Sequence, residues 1–304
     1  MFFTILIASK NEEKDIYLAI QSSLNQNYKN FEVIIVDDSN DGTKKIIKSY
    51  INKKIRLING DNNGCCEARN KGIRLAKGEV IVFLTADTKL RKNYLQQLAK
   101  HFMNTKIDIV MTRSFSFNLK SVYSRFIEMQ YRLEERSDKF DPFTTQGYAV
   151  KKSKALKVGG ITGANYPYNF CRDWTLVKKM EKIGCKKIID KKIIVGHKSP
   201  DNFKEYWNVR KMRGIMSAFQ PYYLFKRNIL YLSVKFLIKD IFFLLQIIFF
   251  IPYFYKVYKV YRFSNKKYDF LLFAYAKFIQ EIAFIFGEWQ GLYKILIKKK
   301  SCDL

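Results

Sequence analysis

The spacing of hydrophobic and polar positions changes repeatedly over the first third of the chain. Phe2–Ala8, Phe31–Val36 and Val80–Leu84 are short, almost unbroken apolar runs. Runs of that length, rich in β-branched residues, predict strands buried on both faces of a sheet. Between them lie segments whose apolar residues recur three and four apart, at Asp15–Ser23, about Thr43–Tyr50, Gly64–Ala76 and Asn93–Phe102. These predict helices. Ile55–Ile58 and Ile107–Met111 add shorter strands and close the series. Strand–helix alternation of this kind predicts an α/β fold, a mainly parallel sheet wound by right-handed crossovers.

Beyond Met111 the pattern loosens. Arg113–Asp141 has helical spacing and mixed polarity, and Phe143–Val150 reads as a strand. Ser153–Val158 reads as a short helix ended by Gly159-Gly160, Asp173–Ile183 as a helix stopped by Gly184, and Ile188–Val195 as another strand. Near Tyr206 the composition shifts to Phe, Ile, Leu and Tyr, which divides the chain into residues 1–205 and an aromatic-rich helical region, 206–304. Ile241–Tyr255 carries no charge. As a helix it would rise only ~22 Å, less than the ~30 Å hydrocarbon core of a bilayer. Extending it backwards brings in Lys235, Lys239 and Asp240. Re-entrant or interfacial helices fit this pattern better than a clean span. Phe270–Ile297 holds Lys277, Glu281 and Glu288 and reads as amphipathic, and Lys298-Lys299-Lys300 follows it. A soluble helical subdomain or a dimer interface is the other reading of this region.

Charge narrows the partners. The 55 Lys and Arg against 27 Asp and Glu give a net charge of +28, which favours a polyanionic partner, an anionic membrane surface or phosphorylated substrates. The basic residues are scattered and no nucleic-acid recognition motif occurs, so nucleic acid is not expected. The five cysteines form no CxxC pair or disulfide framework, which points to a reducing compartment. Met1–Ala8 lacks a basic leader and reads as a first strand, not a signal peptide.

In open α/β sheets, ligands bind outside the carboxyl ends of the strands. There this chain places Ser9 to Glu13, Asp37-Asp38-Ser39, Asn62 to Gly72, and Thr85-Ala86-Asp87. Such a set offers acceptors for base N–H groups and ribose hydroxyls, a guanidinium, and an acid suited to a metal. No GxGxxG or GxxxxGK[ST] follows any strand, which disfavours dinucleotide oxidoreductases and P-loop nucleotidases.

These residues in this order resemble the family 2 glycosyltransferases of the GT-A fold. The resemblance is carried by Ile5–Glu13, Gln21 to Gln26, Phe31–Ser39, Asn63-Gly64, Ala68-Arg69-Asn70-Lys71-Gly72, Ala76 to Glu79 and Phe83–Asp87, and more loosely by Gly147 to His197. It implies a GT-A fold, a mixed and mainly parallel sheet flanked by helices, followed here by the apolar helical region. It also implies an inverting transfer from a nucleoside-diphosphate sugar to a lipid-linked or glycan acceptor at the cytosolic membrane face. Ser9, Glu12, Asp37, Asp38, Arg69, Thr85, Ala86 and Asp87 would line the donor site. Asp87, the last acid of the family's DxD motif, would hold Mg²⁺ or Mn²⁺, with His197 as a second ligand; Thr85 replaces the first acid. Asp173 would be the general base. Arg172, which replaces the family's usual Glu, and Arg210 and Arg213 would contact acceptor or diphosphate. The membrane surface and a second copy of the chain are the further partners. Thr85 and Arg172 leave open a homologue that binds nucleotide sugar or a partner without turnover.

Overall fold

A computed structural model describes residues 1–136, 146–162 and 174–300. The chain divides into two compact units, Met1–Phe115 with Asp141–Lys198, and Ser116–Phe140 with Ser199–Leu304.

The first unit is built on β1 (Phe3–Ser9), β2 (Phe31–Asp37), β3 (Ile55–Asn59) and β4 (Val80–Leu84), all mutually parallel, in the spatial order β3-β2-β1-β4. The alternation within each apolar run explains why both faces are covered. Phe3, Ile5, Ile7, Val33 and Ile35 pack with α1 (Ile16–Leu24), α2 (Thr43–Ser49) and α4 (Tyr94–Phe102). Leu6, Ile34, Val36, Ile81 and Phe83 point the other way, toward α3 (Cys65–Leu75), α6 (Lys152–Lys157) and α7 (Trp174–Lys182). Each fully buried Ile, Leu or Phe contributes about 1.5–3 kcal/mol, so this sheet fixes the frame on which the strand ends sit.

The sheet continues past β4 with β7 (Ala149–Lys151), β6 (Ile107–Ser116), β8 (Lys186–His197) and β5 (Thr88–Leu90). Here the sequence-based expectation needs correction. Ile107–Met111 runs in the same direction as β4 but does not pair with it, because β7 lies between them. It opens a ten-residue strand that runs antiparallel to β7, and β7 is itself antiparallel to β4. The short β5 pairs antiparallel with the end of β8.

The second unit is helical. It comprises α5 (Val122–Glu134), α8 (Phe203–Phe219), a π-helical turn at Gln220–Leu224, α9 (Ile229–Ile248), α10 (Ile251–Tyr261) and α11 (Asp269–Lys300). Phe126, Tyr206, Phe243, Val257 and Phe273, one from each helix, meet in its core. A buried ion pair pins α11 to α5. Arg125 donates to both carboxylate oxygens of Asp269, at 2.7 to 3.2 Å, and Ser264 donates a further hydrogen bond to Asp269 at 2.5 Å. The uncharged run Ile241–Tyr255 is not one helix. It is broken at Phe249–Phe250, where Phe250 takes φ +52° and Pro252 lies in the first turn of the next helix. Proline cannot supply the N–H an uninterrupted helix needs there.

Candidate functional site

The parallel register aligns the strand ends. Ser9 lies opposite Asp37, and Asp37 opposite Asn59. Asp37 is buried and acts as a hub, its Oδ1 accepting hydrogen bonds from the Ser9 hydroxyl at 2.7 Å and the Ser39 hydroxyl at 2.6 Å. Ser39 in turn accepts from the Asn11 backbone N–H, and Asn11 Oδ1 accepts from the Asn40 backbone N–H. Asn11 takes φ +58° to do so, a left-handed conformation that asparagine tolerates. The second oxygen of Asp37 is buried with no hydrogen-bond partner among the described residues. A desolvated carboxylate oxygen in that state is costly, and it is satisfied if a donor group of a ligand reaches it.

Asp38 faces a cleft of about 180 Å³ lined by Lys10, Asp38, Ser39, Lys44, Asn59 and Gly60, among others. Its backbone N–H donates to the Ser9 carbonyl and its Oδ1 accepts from the Asn62 N–H at 2.9 Å. Gly60 makes this possible. A Cβ at position 60 would come within 2.0 Å of Asp38 Oδ1. Asn62 opens the strand-end stretch read from the sequence, whereas Gly60 lies just before it and was not singled out. Their signal is the turn-rich Gly60-Asp61-Asn62 at the end of a short strand.

Glu12 is half-buried just after β1, its backbone N–H donating to Thr43 Oγ1 at 2.8 Å. Burial, reinforced by the charges of Asp87, Asp15 and Asp41, pushes its carboxyl up to about 7. Lys198 offsets part of this negative field by donating to both oxygens of Asp15 at 2.7 and 2.9 Å.

Asp87 follows β4, and the pairing of Thr88 with His197 brings the imidazole beside it, His197 Nε2 to Asp87 Oδ2 at 3.0 Å. Burial alone would raise the Asp87 carboxyl. The neighbouring His197 outweighs that and holds it below the usual carboxylate value. Asp87 Oδ1, His197 Nδ1 and Thr85 Oγ1 are all buried with no hydrogen-bond partner among the described residues. Among those residues no three His, Cys, Asp or Glu side chains converge on one point. The donor set therefore fits a hard cation that takes one or two protein ligands and completes its shell with phosphate oxygens and water. It does not fit a closed protein cage. Ala86 differs from its neighbours, because its side chain packs into the sheet's apolar core.

Arg69 lies on α3 and is buried. Glu67 on the same helix pairs with Arg74, at 2.5 Å. One residue on, Asn70 clamps the Gly159–Gly160 turn. Its amide donates to the Ile161 carbonyl at 3.0 Å and its Oδ1 accepts from the Ile161 N–H at 2.8 Å. Gly160 has φ +68°, and a Cβ there would lie 2.4 Å from the Asn70 oxygen.

Arg172 and Asp173 lie outside the described residues. The helix that follows them, α7, is tied to the same turn. Thr162 N–H donates to Thr175 Oγ1 at 3.0 Å, and Lys179 Nζ donates to the Gly160 carbonyl at 2.6 Å. Arg210 and Arg213 belong to α8 of the helical unit. Arg210 is buried, over the face of Tyr206 and 3.4 Å from Gln130 Oε1, and burial lowers its guanidinium. Arg213 is exposed.

Comparison with known proteins follows the same residues. The family model described as Glycosyl transferase family 2 matches residues 4–160, just over half of the chain. A curated relative, the Escherichia coli UDP-Glc:alpha-D-GlcNAc-diphosphoundecaprenol beta-1,3-glucosyltransferase WfaP, is 38% identical over 110 residues, covering 34% of this chain and 41% of its own. The chain thus spans less than half the length of that relative. Among solved structures, Staphylococcus aureus TarS 1–349 in complex with UDP-GlcNAc superposes with a TM-score of 0.54 at 16% identity, over 71% of this chain and 66% of that one. The mannosyltransferase PcManGT from Pyrobaculum calidifontis, in complex with GDP-Man and Mn²⁺, gives 0.56 at 15% identity, over 98% and 75%. At such identities the structural likeness concerns the fold, a mixed, mostly parallel sheet with flanking helices. With the family model covering the whole parallel sheet and the turn that Asn70 clamps, the chain belongs to glycosyl transferase family 2.

Proposed function

We propose that the chain is an inverting glycosyltransferase that moves a sugar from a nucleoside-diphosphate sugar to a lipid-linked or glycan acceptor at the cytosolic face of a membrane. Residues 1–205 carry the transfer, and residues 206–304 attach it to the membrane. The observation that carries this reading is the row of strand-end acceptors. Asp37 presents an unsatisfied buried oxygen, Asp38 lines a cleft of about 180 Å³, and Asp87 with His197 presents unsatisfied donors for a cation. Ser9 and Asp38 orient the nucleoside, Asp38 accepting from its hydroxyl or N–H groups. Arg69 serves the donor from α3. A divalent cation held by Asp87 and His197 supplies positive charge for the diphosphate leaving group. Glu12, Asp15 and Asp41 add the negative field that favours a cation there.

In the transfer, the acceptor hydroxyl oxygen forms the new bond to the anomeric carbon. The bond from that carbon to the diphosphate oxygen breaks on the opposite face, the diphosphate leaves with the electron pair, and configuration inverts. The acceptor proton passes to the Asp173 carboxylate. Arg172, Arg210 and Arg213 are the cations assigned to acceptor or diphosphate. The diphosphoundecaprenol-linked acceptor named for the E. coli relative supports a lipid-linked acceptor.

Thermal shift with uridine and guanosine diphosphates and their sugars, with and without Mn²⁺ or Mg²⁺, tests the reading. One nucleotide should raise Tm more with metal than without, and Asp38→Ala should abolish the shift. If no nucleoside diphosphate moves Tm under any condition, the donor site is misassigned. Binding by the wild type with no turnover on any donor would favour the non-catalytic homologue.

A further inference from the structure

We infer that the helical unit sits in one leaflet of an anionic bilayer as a monotopic anchor, with the bend at Phe249–Ile251 as its deepest point, and that α11 does not cross. This rests on the membrane attachment proposed above and specifies its geometry.

By length and composition, Asp269–Ile297 of α11 is the one segment of the described residues that could span a membrane. Its contacts argue otherwise. Gly214 of α8 packs against the backbone of α11 so closely that a Cβ would lie 2.1 Å from the Phe284 carbonyl. A Cβ on Gly287 would lie equally close to the Lys211 carbonyl. The two helices are in backbone contact at the middle of α11. Lowering that stretch into hydrocarbon would take α8 with it. That helix carries Lys204, Glu205, Arg210, Lys211 and Arg213, each costing about 2.5–3.5 kcal/mol at a bilayer centre on insertion scales. The acids of α11 point the same way. Glu288 is buried and bridges to Lys239 of α9 at 2.5 Å and Ser217 of α8 at 3.1 Å, and Trp289 donates to Asp240 at 2.8 Å. These contacts hold one face of α11 against the protein, while Leu271, Phe286 and Tyr293 of the same helix stay exposed.

The longest uncharged run with exposed apolar side chains lies at the α9–α10 bend. Phe249, Phe250 and Ile251 are 65%, 63% and 81% exposed, in the middle of the fifteen-residue run without charge. Side chains so large and so exposed, contiguous with Ile241, Phe242 and Ile248, exceed the scattered apolar residues normal on a soluble surface. Basic residues flank them on both sides. Residues 226–267 hold nine Lys or Arg and one acid, Asp240, with Lys235, Lys256, Lys259 and Arg262 exposed. Each cation near an anionic leaflet adds about 1 kcal/mol. From Phe250 to the exposed Lys235 is ~22 Å of helix and to the exposed Lys256 ~9 Å, against ~15 Å for half the hydrocarbon core. The bend therefore reaches into the near leaflet while the lysines stay at its headgroups. The occupant is a phospholipid surface bearing net negative charge.

Co-sedimentation of the full chain with vesicles of phosphatidylcholine containing about a third phosphatidylglycerol tests the surface, with pure phosphatidylcholine as the control; binding at least tenfold tighter to the anionic vesicles is expected. The triple variant Phe249→Asp, Phe250→Asp, Ile251→Asp should lose at least tenfold, with its circular dichroism and nucleotide-induced Tm shift unchanged. Topology is read with single cysteines, Tyr268→Cys and Ile297→Cys, on an otherwise cysteine-free chain in sealed inside-out vesicles from the expressing cells. Both should react with a membrane-impermeant maleimide before detergent is added. If one reacts only after detergent, α11 spans and this inference is overturned while membrane attachment stands. If the wild type binds neither kind of vesicle, attachment itself is overturned.

Discussion

The two units use apolar sequence in opposite ways. In the α/β unit, the apolar residues of β1, β2 and β4 are buried on both faces, and the polar groups gather at one end of the strands, where a ligand can reach them. In the helical unit, α9 and α10 leave large apolar side chains exposed, while charges such as Asp269, Arg125 and Glu288 are buried and paired. A run such as Phe31–Val36 and a run such as Ile241–Phe250 look alike in composition. What separates them is whether a second layer covers them. The first type of burial fixes the geometry of a site, and the second prepares a surface for a partner that is not water.

The contrast can be broken at several points. The largest effect is expected at the proposed base. Asp173→Asn should lower kcat by about 10²–10⁴-fold, the range for loss of a general base, with donor Kd unchanged in a binding titration. An equal loss in donor affinity would show that the carboxylate holds the donor instead. In the helical unit, Asp269→Asn leaves the buried Arg125 guanidinium without its counter-charge. Breaking such a pair costs about 3–5 kcal/mol, to be read from denaturant unfolding followed by helical circular dichroism. Nucleotide binding should survive in native conditions; a loss below about 1 kcal/mol, the scale of an exposed pair, would mean the pair does not pin α11.

Gly60→Ala addresses the strand-end site directly. The added methyl displaces Asp38, and losing one charged hydrogen bond of about 1.5–3 kcal/mol lowers nucleotide affinity roughly 10- to 100-fold by calorimetry. Little change in affinity would remove Asp38 from the nucleoside contacts. The smallest effect concerns Glu12. Its carboxyl is raised from 4.5 to about 7 in the fold, so between those values the folded state binds more protons than the unfolded one. Stability therefore falls as pH rises through this window and levels off above it. Without metal or nucleotide, wild-type Tm should decline from pH 4.5 to 7, and Glu12→Gln should flatten that decline. A wild-type Tm that rises over the same window contradicts the buried acid cluster.

Much of the α/β unit was legible because its elements announce themselves locally. Phe31–Val36 reads as a strand, since a run with five apolar residues in six is too short for a helix and too apolar for an edge. Asp37 and Asp38 must then end it. Less legible was the far half of the sheet. Ile107–Met111 carries the same apolar signal whether its neighbour is β4 or the later strand β7, because pairing depends on connections and partners, not on composition. The role of Gly60 was hidden for the same reason: its consequence is a 2.0 Å approach to a side chain 22 positions earlier. His197 was named through the family resemblance, yet only the pairing of Thr88 with His197 brings it to Asp87.

By itself the sequence determined the alternation of strands and helices, the acids at the strand ends and the uncharged stretch near residue 250, all of which follow from residue type at short range. Tertiary structure decided which oxygen of Asp37 is left unsatisfied, that Phe250 bends the apolar run in two, and that Glu288, in a helix long and apolar enough to cross a membrane, is paired to Lys239. Those outcomes depend on residues distant in sequence meeting at hydrogen-bond range, and spacing along the chain holds no record of such encounters.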